Sequence, residues 1–419
     1  MKRILFTSTL LGALSTSILL AEAPKVLESN KRTFGQSKFI PDISLIVDGS
    51  YVSRSIDDEE LAHLELPGIA HGGGGHDGHD HGTYNGKNGF NLNYAELVLS
   101  SSVDPYLNLD AVFHFSEEGV EIEEAYFTTT FDSGFRLRGG KLYSAFGRLN
   151  QQHHHFWDFG DAPLVNTAFL GDHGLNENGL QLVYVAPFEH YLMAGVEILQ
   201  GENESTFGLE GIEGVFDDAQ APNLVVGYVK ASYDIEDTTI LSGISFAQGD
   251  SRIDHSTDEE DPHAFSGDST LYGVDLTVKH AFDSYSMLTW QSEWIKREMQ
   301  GDKFSFNDGN LLGSANLDKE QSGYYTQLVY ALNQNWKAGI RYDNIYQNDV
   351  IVNGNNKNLE ENLDRISVMG EYHPSEFSRF RLQYNQNNAM YNEEGENEQF
   401  HTISLQYNIS IGAHGAHAF

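Results

Sequence analysis

A two-residue rhythm that returns along the whole chain constrains its fold more than any other feature. In residues 402–411, "TISLQYNISI", Ile403, Leu405, Tyr407, Ile409 and Ile411 fall on one face. Thr402, Ser404, Gln406, Asn408 and Ser410 fall on the other. Successive side chains of a strand point to opposite faces, so this alternation marks a strand with one apolar and one polar side. Residues 336–343 repeat it, with Trp336, Ala338, Ile340 and Tyr342 opposite Lys337, Gly339, Arg341 and Asp343. Residues 42–51, 365–372 and 379–384 follow the same rule.

Sixteen such segments start near residues 40, 90, 106, 120, 134, 178, 190, 223, 238, 270, 284, 322, 335, 363, 376 and 400. Seven links are short, containing "DPY", "FDSG", "PFEH", "IED", "FDS", "LNQN" and "PSEF". The alternate links are mostly long and polar: 55–88, 144–177, 200–221, 251–269, 298–320 and 347–361, with shorter ones at 387–398 and 117–119. Amphipathic segments of roughly ten residues, joined by short and long links in turn, predict an all-β fold. They specify a transmembrane, antiparallel, up-and-down β-barrel of about 16 strands. A secreted sandwich, propeller or solenoid also alternates, but nothing in it demands that loop lengths alternate too. No repeat of 20–50 residues supports a propeller or solenoid.

The ends and the composition agree. The chain opens with Met1-Lys2-Arg3, the apolar run "ILFTSTLLGALSTSILL" and Ala21-Glu22-Ala23, the pattern of a secretory signal peptide over residues 1–23. A short segment, 24–36, then precedes a barrel spanning 37–419. Phe419 lies in phase with the apolar row of the last segment, as in a bacterial outer-membrane assembly signal. No cysteine is present, which excludes a lipoprotein anchor and a disulfide framework. The net charge of −36 excludes nucleic acid as a partner, since phosphate contacts need clustered Lys and Arg. Outer-membrane lipid and small solutes or ions are the partners such a barrel implies.

The third long link reads "FGRLNQQHHHFWDFGDAPLV", followed by "FLGDHGLNENG". Its Phe146, Phe156, Trp157, Phe159 and Phe169 are too apolar for a loop in water, so we expect 144–177 to fold into the lumen as a constriction. Phe156, Trp157, Asp158, Asp161, Asp172 and His173 are its expected working residues. This pattern resembles a family of bacterial outer-membrane proteins related to phosphate-selective-type porins, often labelled zinc-regulated, TonB-dependent outer membrane receptors. The resemblance implies a porin-like channel, and porin analogy suggests a homotrimer. TonB-dependent transporters resemble one another in carrying a globular plug, which the short 24–36 segment does not supply. A TonB-linked metal receptor-like protein, a surface adhesin and a barrel hydrolase stand as alternative functions.

The polar faces place Arg136, Arg138, Arg341, Arg365, Glu371, Arg379 and Arg381 along the lumen as pore-lining residues. Neither H-E-x-x-H, G-x-S-x-G nor a P-loop occurs, and "GGGHDG" at 73–78 matches G-x-G-x-x-G without a strand-to-helix context. An enzyme is not expected. The first long loop carries "HGGGGHDGHDHG", residues 71–82. Neutral imidazole suits zinc, copper and nickel, and carboxylates add oxygen donors. His71, His76, Asp77, His79, Asp80 and His81 are therefore candidate metal ligands, as are His153, His154 and His155 in the third loop. No cofactor is required for the barrel; zinc or another divalent transition metal is the ligand these donors would take. Incidental histidines in a solvated loop are the alternative.

Overall fold

The structure, a computed structural model, describes residues 41–64, 66, 84–117, 119–203, 205–257, 262–357, 363–392 and 396–412. The segments expected as signal peptide and N-terminal lead, Phe419, and the candidate ligands His71, His76, Asp77, His79, Asp80 and His81 lie outside the described residues.

Sixteen long strands run up and down. They are β1 (Asp42–Arg54), β2 (Gly89–Ser102), β3 (Leu107–Phe115), β4 (Val120–Thr130), β5 (Phe135–Tyr143), β6 (Asn176–Val185), β7 (Tyr191–Leu199) and β8 (Leu224–Ile235). Then follow β9 (Thr238–His255), β10 (His263–Ala281), β11 (Met287–Asn307), β12 (Asn310–Ala331), β13 (Trp336–Val352), β14 (Leu363–Ser375), β15 (Ser378–Tyr391) and β16 (Asn397–Gly412). A two-residue pairing at Asn355–Asn356 caps β13. Every neighbour is antiparallel. Val47 of β1 faces Ala95 of β2 on one side and Ile409 of β16 on the other, so the sheet closes on itself. Closure leaves no strand edge and pairs the backbone without water, as a lipid-embedded sheet must.

The side chains are arranged inside out. On β16, Ile411 is 62% exposed while Gln406, on the opposite face, is 2% exposed. A soluble domain buries the first and exposes the second. Here the outward row meets lipid and the inward row meets a polar interior. Aromatic side chains mark the two rims. Tyr106, Phe188, Tyr233, Phe282, Trp336 and Phe377 are exposed around the short-turn end. Toward the other end, Tyr51 meets Phe90 edge-on at 5.1 Å and the Trp294 indole donates to the Tyr346 oxygen at 2.8 Å.

The wall is lopsided. At ~3.3 Å per residue and ~40° of tilt, the 9 residues of β3 or β7 rise ~23 Å, enough to cross a ~25 Å apolar band. The 22 residues of β12 rise ~55 Å, leaving ~30 Å beyond it. Here the structure corrects the expectation of loose loops at 251–269 and 298–320. Pairing continues upward, His255 opposite His263 and Gly301 opposite Leu317, as far as Asn307 and Asn310. Above the membrane the outer face meets water instead of lipid, so the outward apolar row fades while the backbone ladder persists, and Phe265, Met299, Leu317 and Val350 form a small buried cluster on the other face. The β11–β12 hairpin ends on Asp308 and Gly309, with φ of 46° and 72°, the left-handed pair of a tight hairpin turn. The first external loop carries a single-turn helix, α1 (Asp58–Ala62), whose cap Asp57 accepts the Glu60 N–H at 2.8 Å.

Candidate functional site

The connection from β5 to β6 turns inward at a closed neck. Ser144 N–H donates to the Leu175 carbonyl at 2.8 Å. Asn150 bridges the same two segments, its amide donating to the Ser144 and Leu175 carbonyls and its oxygen accepting the Leu175 N–H at 2.8 Å. Glu197 of β7 accepts from the Ser144 hydroxyl at 2.5 Å and the Ala145 N–H at 2.8 Å. Gly147 and Gly174 both have φ of 63°, and a Cβ there would strike the Glu293 carboxylate and the Asn150 side chain respectively. Left-handed backbone and close approach together require glycine at these two points.

Beyond the neck the loop packs against the tall wall. Helix α2 (Leu164–Leu170) follows Pro163 and touches β11, β12 and β13. Phe146, Phe159 and Phe169 are fully buried, as the aromatic content of the loop predicts. The Arg297 guanidinium lies 5.0 Å from the Phe169 ring centre and donates to the Ser205 carbonyl and the Gln321 side chain. Glu293 accepts the backbone N–H groups of Arg148 and Leu149, each at 2.8 Å, and the Tyr325 hydroxyl at 2.6 Å.

The loop stands on two opposed footings. On the β13–β15 side the wall supplies cations. The Asp161 carboxylate meets Arg341 and Arg365 at 2.9 Å each and accepts from Gln383 at 2.6 Å and Asn385 at 3.0 Å. Burial opposes a charged Asp161, but Arg365 and Arg341 outweigh it and hold the pKa below its ordinary value. The same arginine ladder donates to loop carbonyls: Arg341 to Asp161, Arg365 to Ala162, Arg379 to His155 and Arg381 to Trp157, at 2.5–2.9 Å. Below it, Glu371 pairs with Arg381 at 2.8 Å and Lys337 at 3.5 Å.

On the β2–β4 side the polarity reverses, and the wall supplies carboxylates. His153 Nε2 bonds Glu124 at 2.8 Å, and its Nδ1 lies 3.2 Å from Glu123 and 3.7 Å from Glu96. His155 Nδ1 lies 3.3 Å from Glu96. Burial pulls the His153 imidazole toward neutrality, but the carboxylates more than offset it and its pKa ends well above the usual value. His154 turns the other way. Its ring sits 5.2 Å from Tyr84 and 4.4 Å from Trp157, and burial drives its pKa down to about 4.

Between the footings the interior is tight in places. Leu149, Trp157, Phe159 and Arg341 are among the residues around a cavity of ≈ 10 Å³, the space of about one water. Other inward side chains remain half-exposed: Arg136, Arg138, Arg148, Lys279 and Lys337, with Asp110 and Asp158 as the acids among them. Lys279 is within electrostatic reach of Arg148, Asp158 and Lys337. Arg138 stacks on Tyr126 at 5.0 Å, and neither it nor Arg136 has an ion-pair partner among the described residues.

A protein of Aquifex aeolicus (strain VF5), known only as an uncharacterized protein, is 46% identical over 391 residues, covering 92% of this chain and 81% of its own. The chain belongs to that protein's family. No family model matches it. Solved structures share its fold at low identity. An OmpT of Vibrio cholerae lacking loop L8 aligns at 11% identity and TM-score 0.52, over 88% of this chain and 99% of its own. The outer membrane channel DcaP of Acinetobacter baumannii gives 11% and 0.51, over 89% and 98%. The anion-selective porin from Comamonas acidovorans gives 13% and 0.52, over 88% and 99%. The fold is that of a porin-like outer-membrane β-barrel.

Within this family member the expected residues separate into three groups. Arg341, Arg365, Glu371 and Arg381 face inward as the alternation predicts, but they are buried in the footing, and Arg379 joins them. Arg136 and Arg138 are the expected pore-lining residues that keep partial exposure. In the loop, Phe156 lies against the His155 ring at 4.0 Å, and the Trp157 indole donates to the Gln152 carbonyl at 2.9 Å. Asp158 accepts from Gln327 at 3.3 Å, while Asp172 and His173 are exposed at the loop's far end. Glu123, Glu124, Glu293 and Arg297 complete the site without being singled out from sequence as loop partners. Alternation shows which way Glu293 and Arg297 face, but a register shift between β3 and β4 brings both Glu123 and its neighbour Glu124 to His153.

Proposed function

We propose that this barrel is a passive channel for small hydrophilic solutes whose narrow zone favours anions. One observation carries the reading: a loop fastened across the lumen leaves the half-exposed inward cations Arg136, Arg138, Arg148, Lys279 and Lys337 beside it, against the half-exposed acids Asp110 and Asp158. The acidic excess of the chain as a whole argues for cations. However, charges more than about 8 Å apart in water are largely screened at physiological ionic strength, while those at a low-dielectric narrowing are not. The local basic arc therefore outweighs the distant acids.

The test is reconstitution in a planar bilayer. Stable ohmic steps, with a reversal potential of the sign for anion flow in a potassium chloride gradient, are the expected result. A sealed membrane at high protein load would reject the channel. A cation-signed reversal potential would reject the selectivity.

A further inference from the structure

We propose that His153, His155 and Glu96 bind one divalent transition-metal ion, with solvent as the fourth ligand, which fastens the third loop to the β2–β4 wall. The inference goes beyond the channel reading and depends only on this cluster. Its first support is distance. Ligands ~2.0–2.1 Å from a tetrahedral ion lie ~3.3 Å from one another. The observed separations are 3.3 Å for His155 Nδ1 to Glu96 Oε2, 3.2 Å for His153 Nδ1 to Glu123 Oε2 and 3.7 Å for His153 Nδ1 to Glu96 Oε2. The donor atoms of Glu96, His153 and His155 all lie within 4.8 Å of one another. One carboxylate and an imidazole pair thus converge on one point, with Glu123 beside His153.

The second support is the surrounding shell. A metal-bound histidine usually passes its other ring N–H to a carboxylate, which fixes the tautomer and the ring angle. His153 does this, with Nε2 on Glu124 at 2.8 Å. The other Glu124 oxygen accepts the Tyr143 N–H at 3.0 Å, and the second Glu123 oxygen accepts the Tyr143 hydroxyl at 2.8 Å. The outer oxygens of Glu123 and Glu124 are thus occupied. The third support is burial. The Glu96 side chain is 3% exposed, and its Oε1 is buried with no hydrogen-bond partner among the described residues. Three carboxylates packed this closely are costly to desolvate, and a dication would replace the imidazolium protons with one ion bonded directly to the Glu96 carboxylate and both rings. Mixed imidazole and carboxylate donors suit zinc, cobalt, nickel or manganese. His154 contributes no donor, its ring lying against Tyr84 and Trp157.

The experiment uses the full-length protein in detergent, with His71, His76, His79 and His81 changed to Asn so that the first loop adds no binding. After chelation, Co²⁺ is titrated and then displaced by Zn²⁺. The expected result is one Co²⁺ per chain with the intense visible absorption of four-coordinate cobalt. Glu96→Gln or His155→Asn in that background should weaken binding at least 100-fold, and Glu124→Gln by roughly 10- to 100-fold. Unheated gel mobility checks that each variant is folded. X-ray absorption of the zinc-loaded background protein, which needs no further variant, should show two imidazoles. The proposal is overturned by absence of Co²⁺ binding, by binding unchanged in Glu96→Gln and His155→Asn, or by a shell of water oxygens alone. The cluster would then be an ion-pair footing only.

Discussion

The two footings of the third loop solve one problem with opposite chemistry. On the β13–β15 side, arginines of the wall grip a loop carboxylate and four loop carbonyls. On the β2–β4 side, wall carboxylates grip loop imidazoles. Guanidinium stays charged at any pH a cell meets and donates through a planar fork. Imidazole can lose its proton and also ligates metals, and here the wall carboxylates hold the His153 pKa well above the usual range. The difference teaches that one end of the loop is anchored permanently and the other conditionally.

The comparison breaks most severely at Asp161. Asp161→Ala removes one of the two carboxylates that Arg341 and Arg365 share and leaves Asp343, at 3.0 and 3.3 Å, as the other; the loss should therefore fall below the about 3–5 kcal/mol of a fully broken buried pair. We expect a clearly lower temperature for conversion of the folded gel band, together with larger and noisier conductance steps. A variant with wild-type heat resistance and conductance would show that this footing is dispensable. Glu124→Gln should do less. It keeps the shape and weakens one charge-assisted bond, worth about 1.5–3 kcal/mol, so channel noise should rise without loss of the folded band.

Acid provides a reversible version of the first experiment. The Asp161 pKa is depressed, so its stabilisation is complete above the unfolded value of 3.8 and is lost as pH falls through the still lower folded value. Conductance noise from this footing should therefore be unchanged at pH 5 and should increase only below about pH 4. In Asp161→Asn that acid transition should vanish; its persistence would place the acid-sensitive group elsewhere. The smallest effect on stability belongs to Arg136→Ala with Arg138→Ala. Neither side chain serves a footing, so heat resistance should hold while the reversal potential moves toward zero. An unmoved potential would remove these two residues from the selectivity argument.

The barrel is legible in the sequence because lipid and lumen impose opposite chemistries on alternate residues, as Ile403 to Ile411 display. The tops of β10, β11 and β12 are not legible for the same reason. Where water replaces lipid on the outer face, as at Asp302 and Asn316, the outward row no longer has to be apolar and the alternation weakens. The third loop is legible from its phenylalanines, which demand burial. Its footings are only half legible. His153 and His155 stand out, but Glu96 and Glu124 become their partners only once β2 and β4 are set on either side of β3. Bonds from Arg379 and Arg381 to backbone carbonyls leave no trace in residue type at all, because every residue has a carbonyl.

The sequence separation of these bonds has a consequence for assembly. The neck of the loop closes over 25 residues, between Asn150 and Leu175, and needs no strand beyond β7, whose Glu197 accepts from Ser144 and Ala145. The arginine footing spans 180 to 224 residues and needs β13 to β15, made late in the chain. Closing so long a span carries an entropic penalty that local contacts must wait to repay. A nascent barrel must therefore carry its phenylalanine-rich loop unseated until the last third of the sheet has joined. Protease protection of residues 147–170 would then be acquired in a late step, after the neck has formed. Pulse proteolysis during refolding should find these residues cleavable in every intermediate that lacks β13–β15, and protection in such an intermediate would overturn that order.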